Sequence, residues 1–175
     1  RYKLRLLLES LELANRQLAQ IEAEMAAALQ KIGMAEYLLS LKGVGIVSLA
    51  VCLGELGNPL RFDDPRQLGR LAGYNLVEDS SGKNKSGTCI SKRGTKGLRR
   101  VLYQMALTCV AINPELKELY HYLKTRKANP LKKMQALVVI SKKLLTLIYT
   151  LAKKKQNYDP AKVFGEVRKK QLMAA

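Results

Sequence analysis

Histidine, cysteine and acidic residues are what this sequence is short of. Its 175 residues hold one histidine, three cysteines and 14 acids, against 31 lysines and arginines. The single histidine, His121, lies far from the serine-rich stretch, which excludes a Ser-His-Asp hydrolase in practice. The GxSxG elbow is absent too. Cys52, Cys89 and Cys109 are odd in number, widely spaced and without a CxxC pair, so no zinc site is expected. Cys52 and Cys109 sit among apolar residues as buried thiols, a pattern that fits a reducing cytosol. The acids are scattered and adjoin only at Asp63-Asp64 and Glu78-Asp79, neither of which has the spacing of a metal site. Helix capping explains the first pair more simply. No apolar run reaches transmembrane length without charge, and the N-terminus lacks the order of a signal peptide.

Positive charge is what the chain has in excess. A formal net charge of +17 and a pI near 10.0 call for a polyanionic partner, nucleic acid first and an anionic membrane surface second. With 47% hydrophobic residues, the chain is a folded basic protein with one core and a helical extension. It starts at Arg1, inside a helical repeat, and reads as a piece of a longer protein.

The expected fold is mainly α, divided into a helix over 1–37, a compact helical domain over 38–152 and a basic tail over 153–175. In the first, Leu4, Leu11, Leu18, Met25 and Ile32 share one heptad position, and Leu7, Ala14, Ile21 and Ala28 the other. Sustained heptads imply a coiled coil; the alternative is a long helix lying on its own domain. Gly33 breaks the pattern, and a second helix runs to about Leu41. Lys42-Gly-Val-Gly-Ile then has the form of a helix-hairpin-helix turn, in which Gly43 and Gly45 leave amides free for a DNA phosphate. A tight turn whose glycines only relieve crowding is the competing explanation. Helix 46–56 is nearly all apolar, and Asp63 or Asp64 caps the next helix with Pro65 in its first turn. Helices follow over 98–112, from Pro114 to about Arg126, and from Pro130 to about Leu151, with a short last one near 163–172 in a flexible tail.

The organising stretch is 73–100, with its serine loop over 73–97. It has no apolar period, holds four serines and five glycines, and carries no acid after Asp79. Small residues let backbone approach a ligand closely, and clustered cations neutralise phosphates. Lys83, Lys85, Ser91, Lys92, Arg93, Lys96, Arg99 and Arg100 are the candidate nucleic-acid contacts. The segment leads into a helix start, where free amides beside cations form a phosphate-binding arrangement. Arg99 and Arg100 oppose the helix dipole there, which implies an external anion offsetting them. A solvated, disordered basic loop is the alternative.

Four motifs in order, Leu41-Lys-Gly-Val-Gly-Ile, Arg61-Phe…Pro65-Arg-Gln-Leu…Leu71-Ala-Gly, Ser81-Gly and Ser91-Lys-Arg-Gly…Leu98-Arg-Arg, resemble the C-terminal half of one family over roughly 38–150. These are the insertion-sequence transposases of the IS-one-ten/IS-one-sixteen type, also described as bridge-RNA-guided serine recombinases. The resemblance implies a nucleophilic serine at Ser81, with Ser80 as runner-up, that forms a covalent serine–DNA intermediate. Lys92 and Arg93 would hold the strand's phosphate, with Arg99 and Arg100 behind them. It implies DNA and a structured guide RNA as partners, dimers or tetramers through the coiled coil, and a bacterial or archaeal cytoplasm. It also implies a separate N-terminal RuvC-like domain whose acids bind Mg2+, so this fragment alone should neither cleave nor join DNA. The chain departs from the pattern in carrying Glu78-Asp79 where several relatives have basic residues before the serine.

Overall fold

Five Asx-Pro pairs punctuate the chain, and all but Asn129-Pro130 open a helical segment. Proline fixes φ and gives up an amide that a first turn leaves unpaired anyway, while the Asx side chain accepts from an amide two or three residues on. Asn58 accepts from Leu60 at 2.9 Å, Asp64 from Arg66 at 2.7 Å, Asn113 from Leu116 at 3.1 Å and Asp159 from Ala161 at 3.0 Å.

A computed structural model describes residues 2–81 and 84–164, with side chains described for all of these except 78–81 and 84–87. The described residues form helices α1 (Tyr2–Gln30), α2 (Ala35–Leu39), α3 (Ile46–Leu56) and α4 (Pro65–Leu71). An antiparallel hairpin follows, β1 (Leu76–Ser81) with β2 (Asn84–Ile90), and then α5 (Lys96–Ile112), α6 (Pro114–Thr125) and α7 (Lys133–Lys154). Short 3-10 turns lie at Pro59–Arg61 and Pro160–Lys162. The fold is mainly α, as its apolar periodicity implies.

The core lies around α7, which packs against α2, α4, α5 and α6. Ala136, Ile140, Leu144 and Ala152 are fully enclosed there, as are Leu98, Leu102, Met105 and Cys109 on the facing side of α5. Ser141 on α7 is buried too; its hydroxyl is within bonding reach of the carbonyls of Leu137 (2.9 Å) and Leu102 (3.3 Å), so the polar group is satisfied. By length and composition α7 could cross a membrane, but half of its most apolar stretch is buried inside this fold. It is the central core helix.

α1 behaves differently. Leu4, Leu7, Leu11, Leu18 and Ile21 are 50–62% exposed, and only Leu29 at its far end is buried, where the helix meets α2 and α3. The alternative of a long helix lying on its own domain therefore holds for its last turns alone. From Leu4 to Ile21 the heptad stripe has no cover among the described residues.

Three expectations are corrected. The serine loop over 73–97 is a β-hairpin on an extended mount, paired from Leu76↔Ile90 to Ser81↔Asn84 with an irregularity between Glu78 and Asp79. It shows no apolar alternation because its described strand ends are not core: Leu76 is 71% exposed and Val77 42%. The helix expected from Pro130 starts instead at Lys133, since the amide of Leu131 is drawn to the carbonyl of Leu123 at 2.9 Å and Lys132 stays extended. The tail is docked as far as it is described. Tyr158 donates its amide to Ser40 Oγ at 2.7 Å, its ring oxygen meets Asn113 and Glu115, and Val163 is buried. The short helix expected near 163–172 lies almost wholly outside the described residues.

Candidate nucleic-acid interface

The hairpin is mounted on two strands of chain laced by backbone. Ser91 donates its amide to the carbonyl of Asn75 at 2.7 Å, Lys92 to Gly73 at 3.1 Å and Thr95 to Leu71 at 2.9 Å. The Ser91 hydroxyl adds a longer bond to the Gly73 carbonyl at 3.3 Å. Gly73 adopts φ +71°, and a side chain there would meet the Arg99 guanidinium and the backbone of Lys92. Lys92 takes the same left-handed region at φ 53° without being glycine. Such a backbone persists only where its surroundings hold it, and here the lacing does so.

This mount sorts the predicted cations. Lys92, Arg93, Lys96 and Arg100 are exposed and enter no ion pair among the described residues. Arg99 is half-buried and donates to the carbonyl of Ala72 at 3.0 Å, so it closes the C-terminal end of α4. One face of its guanidinium is thus committed to structure. The backbone of Ser80 and Ser81 lies in the last two positions of β1, opposite Lys85 and Asn84. The side chains of Ser80, Ser81 and Lys85, and the whole of Lys83, lie outside what is described.

The start of α5 has a carboxylate of the chain beside it. The carboxylate of Glu55, from α3, folds over Gly97 so closely that any side chain at that position would collide with it. Thr95 supplies no side-chain cap. A carboxylate from within the chain therefore lies beside this helix start, where negative charge is favoured. Glu55 makes no ion pair with Arg99 or Arg100 among the described residues. Glu55 is the one charged residue of α3, and its neighbour, a glycine 42 positions on, leaves no periodic signal.

The two glycines of the Lys42-Gly-Val-Gly turn have separate reasons. Gly43 sits at φ +97°, and a side chain there would meet the Cα of Cys109 at 2.7 Å and its nitrogen at 3.0 Å. Close packing on α5 demands glycine at 43. Gly45, at φ −94°, has open space where a side chain would be. It precedes an uncapped and exposed start of α3, with Ile46 and Val47 on the surface.

The thiols and the tyrosine of the core are shifted by enclosure. Burial pushes Cys52 and Cys109 up to about 12 and keeps both protonated. Burial likewise raises Tyr158, to about 12, with the Asn113 hydrogen bond opposing and the Glu115 carboxylate adding to it. No group of three or more His, Cys, Asp or Glu side chains gathers among the described residues. Sequence reasoning passed over Tyr74 and Tyr103. Tyr103 completes a stripe with Lys96, Arg99 and Arg100 at helical spacing i, i+3, i+4, i+7, which is visible in the sequence once the helix start is placed at Lys96.

Comparison with known proteins gives a consistent picture. Residues 35–121, about half of the chain, match the family described as Transposase IS116/IS110/IS902. The chain is 24% identical over 153 residues to the insertion element IS110 uncharacterized 43.6 kDa protein of Streptomyces coelicolor, covering 87% of this chain and 37% of that protein. It is 32% identical over 90 residues to the transposase for insertion sequence element IS1328 of Yersinia enterocolitica, covering 51% of this chain and 27% of that one. The chain thus spans well under half the length of these relatives.

Proposed function

We infer that this chain, whose residues 35–121 carry the sequence of the IS116/IS110/IS902 transposase family, is the DNA-engaging serine half of an insertion-sequence transposase. The observation that carries this is the mount. A family-matched segment projects a hairpin bearing Ser80 and Ser81, and its foot is laced into a row of exposed cations at Lys92, Arg93, Lys96 and Arg100.

In this reading Ser81 attacks a DNA phosphodiester, with Ser80 the runner-up. The serine oxygen–phosphorus bond forms while a sugar oxygen–phosphorus bond breaks. The serine proton is lost to a base or solvent, and the departing sugar oxygen takes up a proton. Fixed cations stabilise the charge that builds on the phosphoryl oxygens. Lys92 and Arg93 fill that role in the segment just after β2. The residues described hold no acid cluster fitted to magnesium. Relatives are longer than this chain, and the reading assigns the metal to a RuvC-like domain outside these residues, with no step routed through it here. The uncapped start of α3 behind Gly45 supports a second phosphate contact of the helix-hairpin-helix kind. The uncovered α1 stripe supports self-association through a coiled coil. A structured guide RNA and a cytosolic setting belong to the same proposal.

The test uses the full-length transposase with Ser81→Ala and Ser80→Ala in parallel. Recombination should be lost, with DNA binding kept, in Ser81→Ala, and a covalent protein–DNA adduct should map to Ser81. An adduct on any other side chain, or full activity in both variants, removes the serine from the mechanism. That outcome would favour a non-catalytic binding and dimerisation module, for which the exposed cations and the α1 stripe suffice.

A further inference from the structure

Beside the hairpin's foot lies a cleft of about 310 Å³ that the phosphate contacts above do not explain. One wall is the α5 stripe of Lys96, Arg99, Arg100 and Tyr103. The opposite wall is apolar, made by Ile90 at the end of β2 and Val138 on α7, and the buried ring of Tyr74 closes the floor. Its exposed surface is therefore mostly carbon, ringed at one end by the ammonium of Lys96 and the guanidinium of Arg100. Neither cation has an ion-pair partner among the described residues, and Glu55 lies over Gly97, outside the cleft. The Tyr103 hydroxyl contacts the sulfur of Met134 at 3.1 Å, which fixes the ring against α7.

A pocket for phosphate alone would be polar throughout. A pocket for an apolar side chain would have no use for unpaired cations at its mouth. An aromatic ring, aliphatic walls and cations at one end suit a molecule with a flat, weakly polar face and an anionic neighbour. An unpaired nucleotide has both: the base can lie against the ring while the adjoining phosphate meets the cations. A volume of about 310 Å³ accommodates one base with its sugar and excludes a base pair held in a duplex stack, since a paired base reaches such a site only by leaving its stack.

We propose that this cleft seats one unpaired nucleotide of the bound strand, stacked on Tyr103, at the foot of the hairpin. This rests on the nucleic-acid-binding reading above and adds to it a preference for single-stranded or extruded bases. Lys96 and Arg100 hold the flanking phosphate, and Ile90 and Val138 exclude water from the base's second face. The seated nucleotide would set the register of the strand relative to the hairpin.

The experiment measures equilibrium binding of this chain, by fluorescence anisotropy at low and moderate salt, to three oligonucleotides of equal length. These are a single strand with bases, the same backbone with abasic positions through its centre, and a duplex. The single strand should bind about tenfold more tightly than its abasic counterpart. That gap should close in Tyr103→Ala and persist in Tyr103→Phe, which keeps the ring and removes the contact to Met134. Lys96→Gln with Arg100→Gln should weaken all three and flatten the salt dependence. Equal affinity for the base-bearing and abasic strands in the unmutated chain overturns the cleft while leaving nucleic-acid binding in place. No binding to any of the three at low salt overturns both. The comparison between strands requires no variant, so a poorly folding Tyr103→Ala does not decide it.

Discussion

The guanidinium of Arg99 and the carbonyl of Ala72, 27 residues apart, meet at 3.0 Å, so a cation of the basic row also closes the end of α4. Its neighbour Arg100 is exposed and makes no such bond. Arg99→Ala should therefore lower the unfolding free energy by about 1.5–3 kcal/mol, the range for a hydrogen bond to a charged donor. Arg100→Ala should stay within about 0.5 kcal/mol and instead weaken nucleic-acid binding. Chemical denaturation beside a binding titration separates the two, and equal stability losses would contradict this division.

Gly43 and Gly45 should respond oppositely to alanine. Gly43→Ala combines a left-handed backbone with a collision at Cys109, and a loss of about 2 kcal/mol or more is expected. Gly45→Ala meets open space at an ordinary φ, so stability should hardly move. A reduced affinity for DNA in a stable Gly45→Ala protein would point to phosphate contact at the start of α3.

The three thiols should divide sharply. Cys89 is exposed, whereas Cys52 and Cys109 are fully buried and raised to about 12. A thiol reagent at neutral pH should label one site in the native protein and three after denaturation. Because burial raises the folded values above the unfolded one near 9, the unfolded state releases these protons first. Their contribution to stability is complete below about pH 9 and is lost as pH rises toward 12. Denaturation midpoints that hold steady across that window would contradict it.

α1 supplies a test of assembly. Leu11 and Leu18 are 56% and 55% exposed on the heptad stripe, so converting both to Asp removes nothing from the core. Sedimentation should shift the chain from an associated to a monomeric state, with the thermal transition of the remaining fold retained. Identical sedimentation of variant and parent would leave the stripe without a role in association.

What the sequence makes legible follows from period and punctuation. The bounds of α3 coincide with its nearly all-apolar run, and Asp64 and Asn113 cap the helices their neighbouring prolines announce. The hairpin was read as an irregular loop because its pairing is satisfied by backbone, leaving no apolar alternation to see. Ligands for a helix start are looked for outside the chain, yet Glu55 reaches Gly97 from another helix, and no spacing rule links two such positions. Tyr158 falls in the stretch whose sequence reads as a flexible basic tail. Its anchors, Ser40 and Asn113, are 118 and 45 positions away. Residues whose neighbours are close in sequence are readable. Those joined only by the fold are not.

The lacing beneath the hairpin is made almost entirely by main-chain groups, and this has an evolutionary consequence. Substitutions along 71–75 and 91–95 can accumulate without unfastening the joint, because the bonds do not ask which side chains flank them. Gly73 and Gly94 are the exceptions, with no room for a Cβ at either. Side chains of the basic segment after β2 could therefore vary while the hairpin stays fastened at the same foot.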